Sequence, residues 1–421
     1  MEKLACSRFW TDINLNINRK ELVNCCKRTQ SIPPSLEEIQ TLGLDLWSAR
    51  PSVLEEKRQM VEDNIFPEGC KACARTHPHS QWNVWNLWKG KPDSFYTKEL
   101  ITEDKTNYIA ISLSSTCNQA CLYCNAEVSS MWAKKLGIEP VEAEPEYKQA
   151  ILDSLYNYID VRVAPVQQHV KYNFLGGETF LDYSFFDVIE TLSEIHTRHR
   201  TPKVTMELIS NLNVKPAVID KFLDVTRRYS NIDWIISGSV ENLGIRAESS
   251  RVELDFNLFE ENLDKIIAQE NIRSVQILPT MNLLSIADHA EFLDWVFDKF
   301  SNTRGIQNIL RTWGMTINSV TYGELDVGHA PKSFGVYLDA AKDKITRIAD
   351  QIENEAVAIK VRMYNKHLDD IKERLGTLRS QEKLARSKSF MDKQVLLHGI
   401  DYWTIYPELA DVYTNDILLV E

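Results

Sequence analysis

Several features are scarce or missing in this chain of 421 residues, and each absence excludes a class of protein. Glycine and proline are few, with 15 and 14 residues, which excludes collagen-like and low-complexity chains. No apolar run approaches the ~18 residues that a membrane-spanning helix needs, and the N-terminus lacks the apolar core of a signal peptide. We therefore expect a globular, cytoplasmic protein with no membrane partner.

Positive charge is also in deficit. The chain has 48 lysines and arginines against 60 acidic residues, a formal net charge of −12. Phosphate binding needs clustered Lys and Arg, so this balance argues against nucleic acid as a partner. Hydrophobic residues make up 43% of the chain, enough to give two or three folding units a buried core.

Cysteine is absent after residue 124, so all eight cysteines lie in the first third of the chain. In a reducing compartment such residues are more often metal ligands or catalytic thiols than disulfides. They are Cys6, Cys25, Cys26, Cys70, Cys73, Cys117, Cys121 and Cys124. The early part of the sequence therefore carries the chemistry.

From Asn107 onward, short β-rich runs alternate with amphipathic segments of helical period, which predicts a parallel α/β sheet. The predicted strands are Tyr108–Leu113, Val170–Leu175, Val204–Ser210, Ile232–Ser237, Ser274–Pro279 and Asn308–Asn318. The predicted helices between them are Pro145–Ile159, Tyr183–Arg198, Lys215–Tyr229, Phe256–Gln269 and Ser285–Phe300. Six strands with crossover helices predict a partial (β/α)6 barrel, whose function lies at the C-terminal ends of its strands.

The segments on either side of this alternation differ from it. Residues 1–106 are rich in Cys, Trp and Pro and predict a small metal-organised module, with a helix at Leu36–Arg50. Residues 107–325 form the predicted barrel. Residues 326–421 predict a C-terminal extension, helical and highly charged over Ser333–Leu375, that docks on the body through its aromatic tail.

Three cysteines follow the first predicted strand directly. Cys117, Cys121 and Cys124 have the spacing Cys-x3-Cys-x2-Cys. Three thiolates can hold three corners of a cubane iron–sulfur cluster and leave the fourth iron open to a ligand. Structural zinc is the alternative, but it requires four ligands, and no further Cys or His lies close behind Cys124.

The second predicted strand ends in Gly176, Gly177 and Glu178. Glycines at a strand end let the backbone approach a ligand, and a carboxylate beside them can hold an ammonium group. Alone, these residues also suit a simple turn with a solvated glutamate. Their place after the cysteine motif favours the binding function.

At this point the sequence resembles the radical S-adenosylmethionine superfamily, over roughly residues 107–320. The resemblance implies a [4Fe–4S] cluster on Cys117, Cys121 and Cys124, whose open iron binds the amino and carboxylate groups of S-adenosylmethionine. It further implies that an electron from the cluster cleaves the cofactor to methionine and a 5′-deoxyadenosyl radical, which abstracts hydrogen from a substrate. Tyr123 takes the aromatic position expected near the adenine.

The resemblance also suggests further cofactor contacts. Gly176, Gly177 and Glu178 match the motif that receives the methionine amine. Polar residues that end or follow strands three and four match the ribose and carboxylate contacts: Ser210, Asn211, Ser239 and Glu241. Thr280 and Trp313–Thr316 are weaker candidates, and all of these residues also suit ordinary loop caps.

The N-terminal cysteines resemble the auxiliary-cluster module of the twitch type, related to the SPASM type. Cys6, Cys25, Cys70 and Cys73 would close a second [4Fe–4S] cluster, with Cys26 as an alternative to Cys25. A zinc site is the other possibility, because Cys70, Cys73, His77 and His79 lie within ten residues.

The sequence thus predicts a radical S-adenosylmethionine enzyme with two [4Fe–4S] clusters, the second one passing electrons. Peptide or protein modification is the favoured reaction, and dehydrogenation or isomerisation of a small amine, amino sugar or nucleoside is the alternative. No flavin or nicotinamide fingerprint is present, so a flavodoxin or ferredoxin is the expected reductant. A second class of function is a non-catalytic iron–sulfur or zinc scaffold.

Overall fold

The computed structural model describes residues 6–25, 33–70, 93–304, 318–320 and 323–414. Chain contacts divide it into two compact units. The first comprises Met1–Ser115, Val141–Leu208 and Arg228–Asp233, and the second comprises Thr116–Pro140, Ile209–Arg227 and Trp234–Glu421. The domain boundaries expected from the sequence, 1–106, 107–325 and 326–421, stay predictions.

The fold is mixed α/β with a largely parallel sheet. The strands are β1 Asp12–Asn16, β2 Glu21–Val23, β3 Tyr108–Ser112, β4 Ala120–Cys121, β5 His169–Leu175, β6 Lys203–Ser210, β7 Ile232–Gly238, β8 Arg251–Val252, β9 Ile272–Ile277, β10 Thr280–Met281 and β11 Asn318–Ser319. Seven of them form one sheet in the order β2-β1-β3-β5-β6-β7-β9, which agrees with a partial barrel. Two short ladders, β4 with β8 and β10 with β11, lie outside that order.

Helices join the strands. The N-terminal ones are α1 Arg8–Thr11, α2 Leu36–Leu42, α3 Asp45–Ser48, α4 Pro51–Arg58 and α5 Lys98–Thr102. The central ones are α6 Ser130–Leu136, α7 Pro145–Tyr158, α8 Phe185–His199, α9 Pro216–Arg228, α10 Gly244–Ser250, α11 Phe256–Ile267 and α12 His289–Arg304. The C-terminal ones are α13 Gly335–Asp350, α14 Glu355–Arg362, α15 Tyr364–Arg374, α16 Gln381–His398, α17 Tyr402–Ile405 and α18 Pro407–Thr414.

The first unit is built around β3 and β5. Val170, Tyr172 and Phe174 alternate along β5 and are fully buried. Alternation places these side chains on one face of the strand, where they pack into the core. On α8, apolar residues three and four apart are buried: Val188, Ile189, Leu192 and Ile195. Parallel pairing from β1 through β3 and β5 to β6 keeps the strand C-terminal ends at one edge.

The second unit contains the pairing of β7 with β9 and the helices that follow it. β7 and β9 are parallel, with a register irregularity between Trp234 and Ile235. Trp234 is buried against Phe222 of α9. The charged segment predicted at Ser333–Leu375 folds into α13, α14 and α15, and α13 packs against α12, α14 and α15.

Five of the six predicted barrel strands and all five predicted crossover helices are present. Of the sixth predicted strand, Asn308–Asn318, only Asn318 lies within the described residues, where it begins β11. β1 and β2 are not among the predicted strands, and β1 pairs in parallel with β3. Within the described residues, no helix is long and apolar enough to cross a membrane.

Candidate functional site

The loop that carries Cys117, Cys121 and Cys124 lies in the second unit and is fixed by hydrogen bonds from the start of α6. The Cys117 backbone N–H donates to the Ser130 hydroxyl oxygen at 3.0 Å. The Trp132 indole N–H donates to the Cys121 carbonyl at 2.8 Å, and the Cys124 N–H donates to the same carbonyl at 2.9 Å. The backbone around all three cysteines is therefore ordered by local contacts.

A two-residue ladder fixes the middle cysteine. β4 pairs antiparallel with β8, so that Cys121 lies opposite Arg251. The Arg251 Nη1 donates to the Cys121 sulfur at 3.8 Å. Burial raises the pKa of Cys121 to about 12, and the Arg251 cation opposes this rise. A buried sulfur next to a permanent cation is a position suited to a thiolate once the thiol proton has been displaced.

Tyr123 and Glu241, two predicted cofactor contacts, meet beside this ladder. The Tyr123 hydroxyl donates to the Glu241 carboxylate, 3.1 Å from each oxygen. Arg251 binds the same carboxylate, with its Nε at 3.0 Å and its Nη2 at 2.7 Å from Oε2. Glu241 is 1% exposed. The three side chains form one hydrogen-bonded network at the cysteine loop, in which Glu241 and Arg251 are buried and Tyr123 is half-buried.

Burial and charge act in opposite directions on this network. Burial raises the pKa of the Tyr123 hydroxyl well above its usual range, so this group is neutral. Burial alone would lower the pKa of Arg251, but the Glu241 carboxylate raises it above its usual value. An ion pair of this kind survives burial because hydrogen bonds satisfy both partners.

The end of β6 also reaches the cysteine loop. The Asn211 amide donates to the Asn118 side-chain oxygen at 2.9 Å, and the Asn118 amide donates to the Asn213 carbonyl. Ser210 instead accepts from the Leu212 N–H at 2.8 Å, which caps the turn. Ser239 is half-buried, and its N–H donates to the Ser210 carbonyl at 2.8 Å. Asn211 and Glu241 thus contact the loop, whereas Ser210 and Ser239 hold the strand ends.

The Gly176-Gly177-Glu178 turn belongs to the first unit. Gly176 has φ +128°, and a Cβ there would lie 2.5 Å from the Ser112 Oγ. Only glycine fits this backbone without displacing its neighbour. The Gly177 N–H donates to the Ser114 carbonyl at 3.2 Å. Gly176 and Gly177 therefore lie close to the end of β3, and their approach to a ligand stays a prediction.

Glu178 is buried, 1% exposed, rather than solvated. Its carboxylate accepts from the Phe180 N–H at 3.1 Å and caps the short 3-10 turn Thr179–Leu181. Nearby, Lys148 and Asp182 form a buried ion pair at 2.8 Å. A pocket in this unit is lined by Ser114, Gly177, Glu178, Thr179 and Asp182 together with apolar residues of β3 and β5. The turn thus presents a carboxylate and polar backbone at a strand end.

Three of the predicted auxiliary ligands are described. Cys6 and Cys70 both pack against one apolar cluster, composed of Phe9, Trp10, Val53, Met60, Val61 and Leu100. Cys25 follows β2 and is half-buried. Cys26, Cys73, His77 and His79 lie outside the described residues, so the choice between Cys25 and Cys26 stays open.

Within the described ranges, the side chains able to bind a metal are not gathered around a single ion. Among the described residues, no group of three or more His, Cys, Asp or Glu side chains is arranged around a common metal position. The loop nevertheless has the chemistry of an iron–sulfur site. It supplies three thiols, whose thiolate charges would act on one another, and the Arg251 cation lies beside Cys121.

The weaker candidates give no further site in the part of the chain that the structure describes. Thr280 lies in the β10–β11 ladder, and Trp313–Thr316 lie outside the described residues.

Arg251 is the principal site residue that the sequence did not reveal. It has no motif spacing, and its place at the site depends on the ladder between β4 and β8. A second set of residues supports α10, the helix that precedes it. The Tyr406 hydroxyl donates to the Arg246 carbonyl at 2.6 Å, and the Arg246 guanidinium binds Glu408 at 2.8 Å and Asp288 at 2.7 Å.

Comparison with solved structures finds likenesses to anSMEcpe, an anaerobic sulfatase-maturating enzyme. Native anSMEcpe with bound AdoMet shares 18% identity at a TM-score of 0.39, over 57% of this chain and 60% of that one. Native anSMEcpe with bound AdoMet and the Cp18Cys peptide shares 18% identity at a TM-score of 0.38, over 57% of this chain and 60% of that one. This chain thus spans about 60% of the length of these neighbours.

No family model matches the chain. No curated protein matches it either. The functional conclusion therefore depends on the residues of the site.

Proposed function

We propose that this chain is a radical S-adenosylmethionine enzyme. One observation carries the proposal: the Cys-x3-Cys-x2-Cys loop is hydrogen-bonded to polar residues at the ends of two successive strands. Asn118 of the loop contacts Asn211 after β6, and Tyr123 contacts Glu241 after β7. In a parallel α/β fold, ligands bind at the C-terminal ends of strands, so the thiols and these polar groups face one binding region.

The cluster ligands in this proposal are Cys117, Cys121 and Cys124. A [4Fe–4S] cluster, when bound, supplies the electron that breaks the sulfonium carbon–sulfur bond of S-adenosylmethionine and yields methionine and a 5′-deoxyadenosyl radical. Asn211 orients the nucleoside by hydrogen bonds and Tyr123 by ring contact, while Glu241 holds the Tyr123 hydroxyl in place. Gly176, Gly177 and Glu178 receive the methionine amine, for which a buried carboxylate is the complementary charge.

The decisive experiment is anaerobic reconstitution with iron and sulfide, followed by assay of 5′-deoxyadenosine in the presence of dithionite and S-adenosylmethionine. The wild-type chain is expected to form the product. Cys117→Ala is expected to lose one cluster's iron and all product, whereas Cys25→Ala should keep the product-forming cluster. Iron-replete wild-type protein that releases no 5′-deoxyadenosine would contradict the proposal.

Glu178→Gln tests the binding role of the turn, because it keeps the shape of the side chain and removes its charge. Weaker S-adenosylmethionine binding by at least tenfold is expected, since a charge-assisted hydrogen bond contributes about 1.5–3 kcal/mol. Unchanged affinity would favour the non-catalytic scaffold.

An auxiliary [4Fe–4S] cluster on Cys6, Cys25 or Cys26, Cys70 and Cys73 is part of the proposal. Its support is that Cys6 and Cys70, far apart in sequence, pack against the same apolar cluster. This cluster would exchange electrons with a substrate-derived intermediate, and a flavodoxin or ferredoxin in the cytoplasm would be the external reductant. Cys70→Ala is expected to lower the iron content while the cluster at Cys117 stays.

For the substrate we propose a peptide or protein. The net charge of −12 favours a basic peptide over an anionic small molecule. Release of 5′-deoxyadenosine should rise with a basic peptide and stay at background with an acidic peptide of equal length. A response confined to small amines, amino sugars or nucleosides would instead identify a dehydrogenase or isomerase of small molecules.

A further inference from the structure

Arg251 connects the cysteine loop with the strand-end carboxylate. Its backbone pairs with Cys121, and its guanidinium hydrogen-bonds the Cys121 sulfur on one side and Glu241 on the other. The side chain is 5% exposed and that of Glu241 is 1% exposed. A fixed cation therefore lies within hydrogen-bond distance of one predicted cluster ligand, shielded from water.

Burial makes these charges act strongly on the sulfur. Coulomb interactions weaken as the dielectric constant rises, so a cation in the protein interior has a larger effect than the same cation in water. Arginine also keeps its charge under all physiological conditions. Of the two ionised groups, the cation is in direct contact with the sulfur, whereas the carboxylate binds the far side of the guanidinium. Because Arg251 is in contact with the sulfur and Glu241 is not, the effect of Arg251 on Cys121 exceeds the opposing effect of Glu241.

The reduction potential of an iron–sulfur cluster depends on net charge and on hydrogen bonds to its sulfurs. Reduction adds one negative charge, so a nearby cation favours the reduced form and a nearby anion disfavours it. We propose that Arg251 is a positioning residue that raises the midpoint potential of the cluster on Cys117, Cys121 and Cys124, and that Glu241 limits this rise. The inference rests on the proposed function, since it requires that cluster.

The test is an anaerobic redox titration of the reconstituted full chain with dithionite, followed by electron paramagnetic resonance. The signal that disappears in Cys117→Ala identifies the relevant cluster. Arg251→Gln is expected to lower the midpoint potential of this cluster, and Glu241→Gln is expected to raise it. The potential of Arg251→Lys should lie between those of wild type and Arg251→Gln. Glu241→Gln retains the shape of the buried side chain, so it keeps the test informative if Arg251→Gln fails to fold.

The matched control is Lys135→Gln. Lys135 forms an ion pair at 2.8 Å with Glu253, the residue that follows β8. This ion pair is more exposed to solvent than the one between Arg251 and Glu241. Its removal should leave the potential unchanged, because water screens the lost charge. The inference is overturned if the Arg251→Gln and Glu241→Gln shifts have the same sign or are absent. If no signal depends on Cys117, the proposed function itself fails, which is a separate result.

Discussion

Single backbone conformations and single atoms decide the geometry of the candidate site. Gly176 is the clearest case. Its φ of +128° is a backbone conformation that disfavours any side chain, and a Cβ at this position would lie 2.5 Å from the Ser112 hydroxyl oxygen. The sequence indicates a glycine turn here for ligand approach. The structure adds that the turn is also packed against the end of β3.

Gly176→Ala is expected to destabilise the protein by roughly 2–4 kcal/mol, from backbone strain and the clash with Ser112. The measurement is the free energy of unfolding in urea. Gly137→Ala is the matched control: φ is +66° there, but nothing lies within 4 Å of a Cβ. That change should cost only about 1–2 kcal/mol. Equal losses at both positions would show that the contact with Ser112 is unimportant.

At the scale of elements, the C-terminal helices brace the helix that leads to Arg251. Tyr406, between α17 and α18, hydrogen-bonds the Arg246 carbonyl of α10, and its ring lies under the Arg246 guanidinium at 5.0 Å. The sequence predicts that the aromatic tail docks on the body. Within the second unit, Tyr406 of this tail contacts α10, and docking of the tail as a whole stays a prediction.

Tyr406→Phe is expected to cost about 1–2 kcal/mol of unfolding free energy, since it removes the hydrogen bond to the part-buried Arg246 carbonyl. Tyr402→Phe is its control. Tyr402 is also buried, but among the described residues its hydroxyl has no hydrogen-bond partner, so its removal should be neutral or slightly stabilising. Equal effects of the two changes, followed by chemical denaturation, would contradict the bracing role of the Tyr406 hydroxyl.

At the scale of the whole molecule, each unit contains a buried histidine that folds in its neutral form. Burial lowers the pKa of His196 in the first unit to about 4 and that of His289 in the second to about 3. His196 hydrogen-bonds the Tyr172 hydroxyl at 2.6 Å, and His289 the Tyr364 hydroxyl at 2.8 Å. Both units therefore share one source of acid sensitivity.

The unfolded chain binds protons at these histidines near pH 6.5, whereas the folded chain does so only near pH 4 or below. The stability they contribute is complete above pH 6.5 and is lost as the pH falls toward 4, by up to roughly 3 kcal/mol for each. Urea unfolding between pH 7.5 and 4.5 should show a shallower pH dependence for His196→Gln than for wild type. His169→Gln is the control, because His169 is exposed. An identical slope in His196→Gln would refute this account.

The sequence by itself determined the alternation of strands and helices and the local motifs. Apolar residues that recur in short β-rich runs made five strands predictable: β3, β5, β6, β7 and β9. The cysteine and glycine motifs were visible because their members are neighbours in the chain. β1 was not predicted, although Ile13 and Leu15 alternate with polar residues along it, and its place in the sheet comes from parallel pairing with β3.

Tertiary structure alone decided which side chains meet. Arg251 reaches Cys121 through a ladder that joins segments 130 residues apart, and Tyr406 reaches Arg246 across 160. No local pattern records such pairs, since they depend on how strands and helices pack after the chain has folded. The residue types of the candidate site were predicted from the sequence, whereas the charge network at Cys121 was set by long-range packing.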